Sequence, residues 1–113
     1  MKIDVFGTPY EYTETDMNDP VMRGRDGYCD LWKKKIAVKK SEYMDGDTEE
    51  ACDFWKKDVI LHELVHAFSM ESGASYGDDE ALVDWIAHMI PRISAAYESI
   101  MREEKNELPA TNE

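Results

Sequence analysis

Between residues 2 and 40 the apolar positions recur at every second residue, and from about Asp47 onward they recur at every third or fourth. That change of period predicts a strand-rich front half followed by helices. Lys2–Phe6 alternates polar and apolar residues until Gly7-Thr8-Pro9 breaks the pattern, and Tyr10–Thr15 (Y-E-Y-T-E-T) resumes it. Together they predict a hairpin. Asp16–Asp26 carries Asn-Asp-Pro and Gly-Arg-Asp-Gly turn signals and reads as loop, with room for one helical turn after Pro20. Gly27–Trp32 and Lys35–Lys40 are the next strand pair, joined by lysines. In the second of these, Ile36 and Val38 face one way and Lys35, Ala37 and Lys39 the other. Its lysines suit an edge strand guarded against unwanted pairing.

The first helix is expected to start after Asp47, which stands three residues before Glu50 as in a capping box. It passes through Phe54 and Trp55 to Ser72, with Gly73 as its C-terminal stop. After a short connection at Ala74–Gly77, either Asp78 or Asp79 can cap a second helix. That helix carries Ala81, Leu82, Trp85, Ile86 and Met89 as an apolar stripe. Pro91 is expected to kink or restart it before Ile93, Tyr97, Ile100 and Met101. The fold class is therefore α+β, a small antiparallel sheet from residues 2–40 packed on two long helices at roughly 48–72 and 79–103. Residues 1–104 read as one domain and 105–113, charged and holding Pro109, as a flexible tail.

A chain of 113 residues supports one modest core. Its formal net charge of −12 leaves no basic patch for phosphates, so nucleic acid is excluded as a partner, whereas a basic protein partner suits it. Cys29 and Cys52 show neither C-x-x-C spacing nor the density of a disulfide framework. With no leader-like segment and no apolar run that could span a bilayer, the expected setting is reducing and cytoplasmic, with no membrane contact.

The chemistry concentrates in His62-Glu63-Leu64-Val65-His66. On a helix, His62 and His66 lie one turn apart on one face, so two imidazoles can reach one metal ion. Glu63 projects beside them, placed to take a proton from a water held there. Zinc bound by such a pair keeps an open position and lowers the pKa of its water to roughly 7. The bland alternative is a pair of core histidines with an accidental acid between them. Catalytic zinc commonly takes three protein ligands. Glu71, nine residues past His62, points to the opposite face, and Ser69 and Ser72 stand where an extended three-histidine pattern needs Gly and His. On the second helix Glu80 and Asp84 share a face with His88. Glu80 can fold over the metal and Asp84 can accept a hydrogen bond from a liganding imidazole. Alternatively, Asp78, Asp79 and Glu80 are simply N-terminal acids favoured by the helix dipole.

H-E-L-V-H followed by E-A-L-V-D resembles the gluzincin metallopeptidases, whose second helix bears E-x-x-x-D. The resemblance implies Glu80 as third zinc ligand, Asp84 as outer partner of a zinc histidine, and Glu63 as general base in peptide-bond hydrolysis. The small size, strand-rich front and D-G-Y-C-D…K-I-A-V segment look more narrowly like small phage and prophage zincin-like proteins, over roughly residues 1–100. The chain lacks the substrate-binding lobe of large gluzincins. Tyr28, Tyr76 and His88 are the candidates for stabilising an oxyanion, and the strand Lys35–Lys40 is a candidate to pair with an extended peptide substrate. Two other readings remain: a metal-stabilised interaction module binding a basic host protein, and a hydrolase of non-peptide amides.

Overall fold

The computed structural model describes residues 1–16 and 18–111. Strand β1 (Lys2–Val5) and strand β2 (Thr8–Thr15) form the expected antiparallel hairpin, with Val5 opposite Thr8. The turn between them is two residues long, Phe6 at φ 50° and Gly7 at φ 89°. Two left-handed residues in succession are what a tight hairpin needs to match strand twist. Thr8 and Pro9 belong to the strand rather than to a break. Pairing of β2 with its other neighbour starts only at Glu11, so the missing N–H of Pro9 costs no ladder bond on that side.

Strand β3 (Gly27–Asp30) and strand β4 (Lys35–Lys39) are antiparallel to each other. Their connection is held by the Asp30 carboxylate, which accepts the backbone N–H of Trp32 at 3.0 Å and of Lys33 at 2.9 Å. The sheet order is β1-β2-β4-β3, with β2 and β4 parallel, so the sheet is mixed rather than wholly antiparallel. This corrects the edge assignment of Lys35–Lys40. β4 lies inside the sheet, and Ile36, Ala37 and Val38 are all fully buried. Ile36 and Val38 join the main core, while Ala37 is covered on the other face by Met22 and Tyr28. The loop before β3, with its 3-10 turn at Pro20–Met22, supplies Met22 to that cover, and β3 itself supplies Tyr28. The lysines sit at the strand ends, where Lys39 reaches Asp26 at 3.2 Å.

Helix α1 (Glu49–Glu71) is capped by Thr48, whose Oγ1 accepts the Ala51 N–H at 3.0 Å, and not by Asp47 as the sequence suggests. It ends in a Schellman turn at Gly73 (φ 78°), with Ala74 N–H donating to Ser69 O at 3.1 Å. Helix α2 (Glu80–Thr111) is capped by Asp79, which accepts the Leu82 N–H at 3.1 Å. It runs through Pro91 without restarting and past residue 103, where it was expected to end. Residues 112–113 of the expected tail lie outside the described residues.

The core is a sheet face against α1: Val5, Tyr10, Ile36 and Val38 pack with Met44, Cys52 and Ala67. Val83 and Ala87, both nearly inaccessible, seat the first turns of α2 on α1. Gly27 allows β3 to lie close over α1, because a Cβ there would meet Val59 Cγ1 at 2.7 Å and Glu63 Cγ at 3.4 Å. The α+β architecture thus stacks one sheet edge, β3, above the middle of α1, with the start of α2 alongside. Among the described residues, no helix is long and apolar enough to cross a membrane.

Candidate metal centre

One turn of α1 separates His62 from His66, and their Nε2 atoms come within 3.2 Å of each other. Glu80, the first residue of α2, extends its carboxylate over both. Oε1 lies 2.9 Å from His66 Nε2 and Oε2 lies 3.2 Å from His62 Nε2. Asp84, one turn further along α2, places Oδ1 2.7 Å from His62 Nδ1. The connection between the helices makes this possible: Gly73 reverses the chain, and Gly77 passes behind His66, where a Cβ would lie 3.6 Å from Nδ1. The three expected ligands, His62, His66 and Glu80, and the expected outer partner Asp84 therefore converge on one place.

Their chemistry is restrictive. An ionised carboxylate only accepts hydrogen bonds, so the short contact to Asp84 puts the proton of a neutral His62 on Nδ1 and leaves a lone pair on Nε2. That lone pair then faces a carboxylate oxygen and a second imidazole nitrogen. Three acceptor groups meet with at most the His66 proton to share among them, an arrangement that a cation relieves. His62, His66 and Glu80 can hold a divalent metal. The Glu80 and Asp84 side chains are 65% and 70% exposed, so the α2 side of the centre is open to solvent.

Glu63 is only 8% exposed, and its carboxylate lies within 4.8 Å of donor atoms of both histidines. Burial pushes its carboxyl up to about 7; His62 pulls it back, Glu80 adds to the rise, and Arg25 opposes it. Above it is a cleft of about 250 Å³, walled on one side by Arg25 and residues 27–29 of β3 and on the other by His62, Glu63, His66 and Glu80.

Of the three residues considered for an oxyanion, only Tyr28 borders this cleft. Its ring is buried with Met22 and Ala37. Tyr76 lines a separate apolar groove between the helices, and His88 is exposed on α2 two turns beyond Glu80, outside the cleft. Sequence reasoning missed Arg25. Among the described residues no carboxylate lies within 4.0 Å of its guanidinium, and it is the one cation lining the cleft. Only the Gly24–Gly27 turn beside β3 brings it there, which no local pattern encodes. Cys29 also lines the cleft, but burial, with Glu63 and Asp30, pushes its thiol up to about 12, so it is no thiolate nucleophile.

Glu71 takes a different role. Its carboxylate accepts Thr8 Oγ1 at 2.9 Å and Tyr10 Oη at 2.7 Å and pairs with Lys34 Nζ at 2.7 Å, clasping the end of α1 to β2 and the β3–β4 turn. Ser69 and Ser72 close the helix end, Ser69 Oγ donating to Ala74 O and Ser72 Oγ to Ser69 O, each at 3.1 Å. No family model matches this chain, and neither the curated proteins nor the solved structures contain a significant match to it.

Proposed function

We propose that this chain is a zinc-dependent hydrolase of peptide bonds of the gluzincin type. His62, His66 and Glu80 would hold the metal, Asp84 would orient His62, and Glu63 would act as general base. The observation that carries this reading is the convergence of the two Nε2 atoms and the Glu80 carboxylate at 2.9–3.2 Å from one another. Zinc–ligand bonds of about 2.0–2.1 Å at tetrahedral angles put ligand atoms roughly 3.3 Å apart, so the donor set fits that ion closely. Zinc bound there supplies a Lewis acid that polarises a carbonyl and acidifies water.

The remaining work falls to the chain's own groups. Asp84 keeps the His62 lone pair on Nε2, aimed at the ligand position. Glu63 would accept a proton from the attacking water and return it to the leaving amine, and its burial raises its affinity for that proton. An extended peptide would pair with β3, the sheet edge beside the cleft. The alternative strand, Lys35–Lys40, is excluded because β4 already has a neighbour on each side.

The test is Glu63→Gln at matched zinc content, assayed on a degenerate peptide library by mass spectrometry. An amide of the same shape cannot take a proton, so cleavage should fall roughly 10²–10⁴-fold while zinc binding and fold persist. Equal cleavage by the two proteins would refute the peptidase reading. Absence of cleavage by wild type, with zinc bound, would favour the metal-stabilised interaction module instead.

A further inference from the structure

We infer that the outer half of α2 is the surface through which two copies of this chain pair, lying antiparallel. This inference is independent of the proposed chemistry.

The first turns of α2 pack on α1 through Val83 and Ala87, but every residue from 91 to 105 is exposed. A helix of 32 residues is about 48 Å long at 1.5 Å per residue, which accounts for most of the 63 Å long axis of the molecule. The exposed part is not a solvated polar helix. It carries Ile93 at 59%, Tyr97 at 60%, Ile100 at 61% and Met101 at 40% exposure. From Ile86 through Ile90, Ile93 and Tyr97 to Ile100 the intervals alternate four and three, the spacing of a coiled-coil seam. As far as Met101 the flanking positions, Met89, Ser94, Ala96 and Met101, are uncharged and the first flanking acid is Glu103, whereas Arg92, Glu98 and Arg102 fall on the far side of the helix.

The occupant that fits is a second copy. Each molecule offers one projecting apolar end and one apolar seat. The seat is a groove of about 460 Å³ between α1 and α2, bordered by Phe68, Tyr76 and Ile90. An antiparallel pairing sets Ile90 against the partner's Ile100 and Ile93 against the partner's Tyr97, twice each by symmetry, and lowers each projecting end into the other's seat. Such an isologous contact closes after two copies. The same register sets Glu104 opposite the partner's Ile86 at the border of the seat, whereas a parallel pairing would bring the two Glu104 carboxylates against each other and leave both seats empty.

Area supports the same conclusion. Half-exposed aromatic and aliphatic side chains contribute roughly 100 Å² each, so the seam and seat together would bury on the order of 1,200 Å² in the pair. That is the lower end of specific interfaces, consistent with a micromolar dimer. A bilayer fits less well, because the net charge of −12 and the acids Glu103 and Glu104 beside the stripe repel anionic lipid.

Sedimentation velocity on the full chain at about 100 µM, well above a micromolar Kd, should give twice the 13.1 kDa chain mass. Ile93→Glu combined with Tyr97→Glu should return the chain mass with far-UV circular dichroism unchanged. Trp32→Glu, at a 90% exposed position on the β3–β4 turn, should leave association intact. Because position 94 approaches its own copy only in the antiparallel pair, Ser94→Cys should give a disulfide-linked dimer under mild oxidation, and Ala95→Cys on the outer face should not. A monomeric wild type would overturn the inference, as would a dimer indifferent to the double substitution. Monomers that co-sediment with phosphatidylcholine–phosphatidylglycerol vesicles would assign the face to lipid and overturn it too.

Discussion

The closeness of β3 to α1 rests on a missing methyl group, and restoring it should damage both stability and the cleft. In Gly27→Ala the new Cβ would stand 2.7 Å from Val59 Cγ1, 3.2 Å from the Ala37 carbonyl oxygen and 3.4 Å from Glu63 Cγ. A valine in a helix keeps one χ1 rotamer about 90% of the time, so Val59 cannot swing aside. The strand must lift instead. Overpacking of this kind costs typically 1–3 kcal/mol. At about 4 °C per kcal/mol for a domain of this size, the melting temperature should fall by about 4–12 °C. Trimming the neighbour separates this cause from others. Val59→Ala alone should destabilise, yet in the double variant the two costs should fall short of additivity by about 1 kcal/mol. Relief should be incomplete, since the Ala37 carbonyl stays where it is. Thermal melts of wild type, both single variants and the double variant provide the cycle. Strict additivity, or a Gly27→Ala melt within about 2 °C of wild type, would refute the close-approach reasoning.

Metal titration with a competing chelator should show His66→Ala losing stoichiometric zinc. Asp84→Ala should weaken affinity about tenfold, the low end for an outer partner because the side chain is 70% exposed, and Glu71→Ala should leave stoichiometry unchanged. Lys34, Tyr10 and Thr8 hold the Glu71 carboxyl at about 2, below its unfolded value of about 4.3. The folded state therefore gains stability above that unfolded value and loses it as pH falls toward 2. Denaturant melts between pH 6 and about 2 should show this limb flattened in Glu71→Gln, and an unchanged slope would refute the assignment. Thr48→Ala should cost about 1 kcal/mol and Asp47→Ala less than half that, by urea unfolding; the reverse order would restore Asp47 as the cap.

What was legible in the sequence follows from how local its causes are. The spacing of His62 from His66 and of Glu80 from Asp84 fixes which side chains share a helix face, and helix geometry does the rest. Thr48 escaped notice because Asp47 satisfies the same capping rule one residue earlier, and only the backbone shows which oxygen meets the Ala51 N–H. Strand parity was readable too, since Ile36 and Val38 do face the core. The position of β4 was not. Lysines at both ends suggested an edge, but they flank three buried residues, and the cover over Ala37 comes from Met22, fifteen positions away in a loop without periodicity. A parallel neighbour such as β2 leaves no signature in either strand, because the hairpin from β3 into β4 returns the chain past its own starting edge.

That misplacement matters for the chemistry. One wall of the cleft is helix, set by spacings of four, and it was foreseen residue by residue. The other wall is β3 and the turn holding Arg25, and it exists only because β4 is interior and pushes β3 outward over Glu63. On the proposed peptidase reading, a substrate strand at the cleft would pair with β3, where Gly27 keeps the backbone low and Arg25 is the one cation lining the cleft. The candidate metal ligands could be read from the sequence, but the wall against which a substrate would lie on the proposed reading came from long-range pairing, and the folded chain was needed to find it.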